Sequence, residues 1–222
     1  MTHKATRCWS ALYAGLGNCE QLGHELEQQF VFLQSLKLLP SRIVNFGCSA
    51  KWDEATGYDG GVEPFALMWT LGASEVFVVD KNESSINVLK KRADELREKY
   101  PECFDAYRDS FKYLVADMTS QEQMDQLFPE YFGLVYCSRV LLNIEHDYGL
   151  EGVKSAVRGM ARAVRPGGWI VSHEADALEP YPVHYIGLFE QVGCSKSWIV
   201  RQPEFIGIPN REVEYAVYKR RV

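Results

Sequence analysis

The stretch Ile43-Val44-Asn45-Phe46-Gly47-Cys48-Ser49 constrains the fold of this chain more than any other. A short apolar run passes directly into a turn of small residues. It reads as a buried strand that delivers the backbone to a tight turn. A second strand, Glu75-Val76-Phe77-Val78-Val79, stops on Asp80. Between the two, a segment from about Glu63 to Leu71 is apolar nearly all round, which predicts a buried helix ended by Gly72. Strand, helix and strand in this order outline a βαβ unit, and hence a parallel sheet.

The rest of the chain continues the alternation. An amphipathic helix is expected from about Gln21 to Leu39, with Leu22, Leu26, Phe30 and Leu33 at three-four spacing and Pro40 as its stop. A charged helix is expected over roughly 84–99, with Ser84 as N-cap and Pro101 beyond its end. Tyr113-Leu114-Val115-Ala116 reads as a third strand ending on Asp117, followed by a helix near 120–127. Strand four is Phe132 to Cys137, and a helix near 150–163 leads through Arg165-Pro166-Gly167-Gly168 into strand five, 169–173. A short helix near 183–191 and strands at 197–200 and 213–218 complete the chain. The last two strands have no helix between them, so they form an antiparallel hairpin at one edge. The fold class is α/β: a doubly wound, mainly parallel seven-stranded sheet with a C-terminal antiparallel hairpin and helices on both faces.

A length of 222 residues suits one large domain, or a core with a small lid. The division expected is an N-terminal helical lid or cap over 1–40 and one domain over 41–222. A net charge of −6 argues against nucleic acid, which needs a basic stripe to displace counterions. The six cysteines are scattered without a C-x-x-C pair, so no metal site is expected. His173, Glu174 and Asp176 could approach a metal, but their spacing is not diagnostic. The start of the chain lacks an apolar signal core, and no apolar run reaches membrane-spanning length. A cytoplasmic protein with reduced thiols is the expectation.

The small-residue turn, the strand ending on Asp80 and the Pro166-Gly167-Gly168 turn together resemble the S-adenosylmethionine-dependent methyltransferases of the Rossmann-like class. The C-terminal hairpin fits the same family. Asn45, Gly47, Cys48 and Ser49 occupy the place of its acidic-x-Gly-x-Gly-x-Gly loop, with Asn45 for the acid, Ser49 for the second glycine and Lys51 for the third. Gly61, nineteen residues before Asp80, could supply a missing glycine from the polar loop 50–61. The resemblance implies S-adenosylmethionine as cofactor. It assigns the ribose hydroxyls to Asp80, with Lys81 beside it, and the adenine amino group to Asp117, with Met118 against the ring. Cys137 and Ser138, with the stretch that runs on to Ile144 out of strand four, would border the methionine end and the substrate. Plain structural roles compete at each position: a strand-to-helix turn for Gly47, and helix capping for Asp80 and Asp117.

Methyl transfer from a sulfonium needs alignment more than proton transfer. His146 and Glu174 are the candidate catalytic residues, with Asp147 and His173 beside them. Trp9, Tyr13, Trp52 and Tyr58 are candidates for an acceptor pocket. The function expected is methyl transfer to O, N or C of a small-molecule acceptor, with no nucleic acid or membrane partner and with homodimerisation left open. A cofactor-binding or interaction protein without catalysis is the alternative, on the strength of Asn45, Ser49 and Lys51. A nicotinamide oxidoreductase fits least, because there is no G-x-G-x-x-G.

Overall fold

The computed structural model describes residues 38, 40–47, 63–104, 109–128, 130–138, 140–174, 181–203 and 212–222. The expected helix 21–39, the lid 1–40, Cys48, Ser49, the loop 50–61 with Gly61, and Asp176 lie wholly or almost wholly outside the described residues.

The elements run β1 (Arg42–Phe46), α1 (Glu63–Leu71), β2 (Glu75–Asp80), α2 (Glu83–Lys99), α3 (Pro101–Phe104), β3 (Phe111–Val115), α4 (Gln121–Leu127), β4 (Phe132–Ser138), α5 (Leu141–Ala163), β5 (Val164–His173), α6 (Val183–Gln191), β6 (Cys194–Pro203) and β7 (Glu212–Arg220). The strands form one seven-stranded sheet in the order β3-β2-β1-β4-β5-β7-β6. The first five pair in parallel. β7 pairs antiparallel with both β5 and β6, so the expected C-terminal hairpin closes one side of the sheet. Both faces of the sheet are covered. Ile43, Val76, Val78, Leu134 and Tyr136 pack with α1 and α2 on one face. Val44, Phe46, Val79, Val135 and Cys137 pack with α4, α5 and α6 on the other. Strands buried on both sides must be apolar at nearly every position, which is why β1 and β4 were visible as continuous runs.

Some boundaries differ from the sequence reading, each for a physical reason. β3 starts at Phe111 and ends at Val115, so Asp117 stands two residues beyond the strand. α2 starts at Glu83 after Asn82 rather than Ser84, and Pro101 opens a further short helix instead of only ending one. The largest difference is α5, expected from about 150, which begins at Leu141 directly after β4. Gly149, at φ 64° and ψ −171°, breaks it into two end-to-end helices. A positive φ is easy only for glycine, so the break falls where the chain can adopt it. β5 starts at Val164 and so contains the Pro166-Gly167-Gly168 turn, where its pairing with β4 is irregular between Phe132 and Leu134. The helix ends at Ala163, as expected, with Val164 as its C-cap.

Candidate active site

Strand order reverses between β1 and β4, because β1 continues through β2 to β3 while β4 continues to β5. Ligands in open α/β sheets bind beyond the carboxyl ends of the strands at such a switch point. A cavity of about 300 Å3 lies there. Phe46 and Gly47 at the end of β1, Val79 to Asn82 at the end of β2, and Ala116 to Thr119 after β3 supply one side. Val140, Asn143, Ile144, Asp147 and Tyr148, from the start of α5, supply the other.

Gly47 turns the backbone at φ 66°, and its amide donates to Val79 O at 2.7 Å. The turn thus ties β1 to β2 at the cavity floor. Asp80 is buried, only 6% exposed, and its Oδ1 accepts from Asn82 N at 2.8 Å. Ala116 N donates to Asp80 O at 3.1 Å, which sets the segment leading to Asp117 beside the end of β2. Asp117 Oδ1 accepts from Thr119 N at 2.8 Å and from Thr119 Oγ1 at 2.7 Å. This local turn fixes Met118, which is buried against the cavity. The N-cap of α4 is Ser120, not Asp117.

Lys81 crosses the cavity rim. Its Nζ lies 3.3 Å from Tyr148 Oη, 3.6 Å from Asp147 Oδ2 and 4.9 Å from the centre of the Tyr148 ring. The Tyr148 hydrogen bond, with Asp147 nearby, raises the Lys81 pKa above its ordinary value. Asp147 is held below the usual carboxylate range by His146 first and then by Lys81.

Gly47, Asp80, Lys81, Asp117 and Met118 are thus brought together around one cavity. Asn45, Cys137, Ser138, His146 and Glu174 are not among its described lining residues. Asn45 is buried on the opposite face of β1, and its Nδ2 has no partner among the described residues. Ser138 Oγ pairs with His173 Nδ1 at 3.3 Å. The His146 side chain is 89% exposed and meets Asp147 at 3.2 Å. Cys137 is buried, and burial pushes its thiol pKa well up, so it stays a protonated packing residue.

Glu174 has a part different from the acid-base one expected. It is 1% exposed, and its Oε2 accepts from Leu141 N at 2.9 Å and Leu142 N at 3.2 Å. Its Oε1 accepts from Cys137 Sγ at 3.4 Å and Ser172 Oγ at 3.3 Å. Val140, the N-cap of α5, has no side-chain acceptor, so a carboxylate from the end of β5 caps the helix instead.

Sequence reasoning placed the stretch Cys137 to Ile144 beside the ligand, but it missed Tyr148 and the helix that carries these residues. The signal available was the three-four spacing of Leu141, Ile144 and Tyr148, broken by polar residues and then by Gly149.

The methyltransferase domain family matches residues 57–172, just over half of the chain. The chain belongs to that family, whose cofactor is S-adenosylmethionine. Among solved structures, it resembles the N-methyltransferase NodS from Bradyrhizobium japonicum WM9, at TM-score 0.60 and 15% identity over 90% of this chain and 96% of that one. NodS in complex with S-adenosyl-L-homocysteine matches at TM-score 0.62 and 15% identity, over 89% and 87% of the two chains. Magnesium protoporphyrin IX methyltransferase from Synechocystis PCC 6803, with bound S-adenosylmethionine, matches at TM-score 0.61 and 14% identity, over 89% and 78%. At such identities the likeness establishes the shared fold. No curated relative matches the chain.

Proposed function

We propose that this chain transfers a methyl group from S-adenosylmethionine to O, N or C of a small-molecule acceptor. The observation that carries the reading is the pair Asp80 and Asp117, displayed beyond adjacent strands around one cavity at the switch point of a methyltransferase-family sheet. Two carboxylates flanked by Met118, Ile144 and Val140 match the needs of an adenosine: acceptors for ribose hydroxyls and an exocyclic amine, and an apolar slot for the ring. Asn45 stands at the position in the sequence where the resemblance puts the family's acid.

In this reading Asp80, with Lys81 beside it, holds the ribose, and Asp117 with Met118 holds the adenine. Gly47, with Cys48, Ser49 and Gly61 outside the described residues, belongs to the methionine end. Cys137 and Ser138 support that end from β4. S-adenosylmethionine supplies a methyl group already activated on sulfur. The chain's own contribution is to exclude water with the apolar wall and to align the acceptor for in-line attack. Proton removal is not assigned to Glu174, whose oxygens are engaged by the helix start, and His146 sits outside the cavity beside Asp147.

Incubation with S-adenosylmethionine and a panel of phenols, amines and carbon acids should yield S-adenosylhomocysteine with at least one acceptor class. Cofactor binding without turnover on any acceptor would instead favour the non-catalytic alternative. Asp117→Ala removes both bonds to Thr119 as well as the proposed adenine contact. It is expected to weaken S-adenosylhomocysteine binding by about tenfold, the low end for a hydrogen bond to a charged group, which is worth about 1.5–3 kcal/mol. Unchanged affinity by calorimetry in a folded variant removes Asp117 from the site.

A further inference from the structure

Glu174 links two parts of the molecule far apart in sequence. Its backbone leaves β5, yet its side chain ends at the first turn of α5. That turn starts the helix carrying Asn143, Ile144, Asp147 and Tyr148, which wall the cavity. Val140 at the helix entrance touches the cavity as well. Gly149 breaks α5 just beyond Tyr148, so the cavity-facing segment is separated from the longer helix behind it. Its N-terminal anchor is therefore the carboxylate.

We infer that Glu174 is a positioning residue for the cavity: its ionised carboxylate holds the first turn of α5, and with it the cavity wall, in the arrangement that binds cofactor. The inference rests on the reading that the cavity takes S-adenosylmethionine. A charged cap bonds helix amides more strongly than a neutral one and also complements the helix dipole. Loss of the charge loosens the wall without removing any group that touches the ligand.

Burial pushes the Glu174 carboxyl up to about 7, against the amides of Leu142 and Leu141 and the Cys137 thiol, which pull it down. The groups around it are Cys137 from β4, Tyr181 and Tyr185 at α6, Tyr218 from β7, and His173 next to it in the chain. The thiol and the three phenols are all pushed above their ordinary values, so they stay neutral between pH 6 and 8. His173 and the exposed His146 remain as other groups to control for. Both are retained in a Glu174→Gln variant, so the difference between its pH profile and that of the natural chain isolates Glu174.

The sign for stability is opposite to that for binding. A carboxyl whose pKa rises on folding favours the folded state at low pH and loses that advantage as pH rises from the unfolded value of 4.5 through about 7. Glu174→Gln escapes that loss and is expected to melt no lower than the natural chain at pH 8. A residue with a merely structural role would show weaker folding and weaker binding together.

Calorimetric titration with S-adenosylhomocysteine from pH 6 to 8 tests this. The natural chain should bind more weakly as pH falls through about 7. Glu174→Gln should bind about three- to fivefold more weakly at pH 8, with the two profiles converging at pH 6. Parallel profiles, or equal affinity at pH 8, overturn the inference. If the variant does not fold, amide resonances of Leu141 and Leu142 in the 15N-labelled natural chain provide the test. They should titrate with a midpoint near 7, and their failure to move between pH 5.5 and 8.5 overturns it. No binding of S-adenosylhomocysteine by the natural chain at any pH would instead remove the cofactor reading, and with it the link from Glu174 to binding.

Discussion

Asp80→Ala is expected to weaken binding of S-adenosylhomocysteine by ten-fold or more. A hydrogen bond to a charged group is worth about 1.5–3 kcal/mol, and each 1.4 kcal/mol is about tenfold in affinity. Asp80 is positioned for this by the sheet: it is the last residue of β2, buried, and inside the cavity wall. The competing role is structural, because Oδ1 also accepts from Asn82 N at the start of α2. Asp80→Asn separates the two. It keeps a carbonyl oxygen for Asn82 N but loses the charge, so it should fold like the natural chain and still lose most of the affinity. A folded Asp80→Ala with unchanged affinity ends the ribose assignment.

Gly47→Ala is expected to destabilise the fold by about 2–5 kcal/mol and to damage the cavity at the same time. Two effects add. The residue sits at φ 66°, where an L side chain costs about 1–2 kcal/mol. An added Cβ would also lie 2.3 Å from Val140 Cγ2, and overpacking of this kind costs about 1–3 kcal/mol. Val140 cannot simply rotate away without consequence, since it opens α5 and lines the cavity. The double variant Gly47→Ala with Val140→Ala should recover the overpacking share and leave the backbone share. Thermal melts of the two single variants and the double variant measure the coupling; a Gly47→Ala protein that melts like the natural one contradicts the account of this turn.

The strand end carrying Asp80 was legible in the sequence because a parallel strand covered on both faces has to be apolar until it leaves the sheet. The first polar residue after Val79 therefore marks both the strand end and the ligand side. The C-terminal hairpin was legible for a simpler reason: two strands without an intervening helix cannot make a parallel crossover. The start of α5 was not legible. Asn143, Glu145, His146 and Asp147 interrupt its apolar pattern because that turn faces a cavity and solvent, and Gly149 makes the break look like a loop. Asp117 was found, although the strand was expected to run up to it; it stands beyond the last paired residue because its own turn with Thr119 shapes the chain there. The capping role of Glu174 could not be read at all. It depends on a contact between residues 33 apart in sequence, made only when β4 and β5 pair and α5 starts between them.

Calorimetric titration with S-adenosylmethionine and S-adenosylhomocysteine, with NADH as the control, tests the central claim most directly. The cavity at the ends of β1, β2 and β3 predicts micromolar binding of the first two and none of NADH. Binding of NADH, or no binding of either sulfur compound, would contradict it.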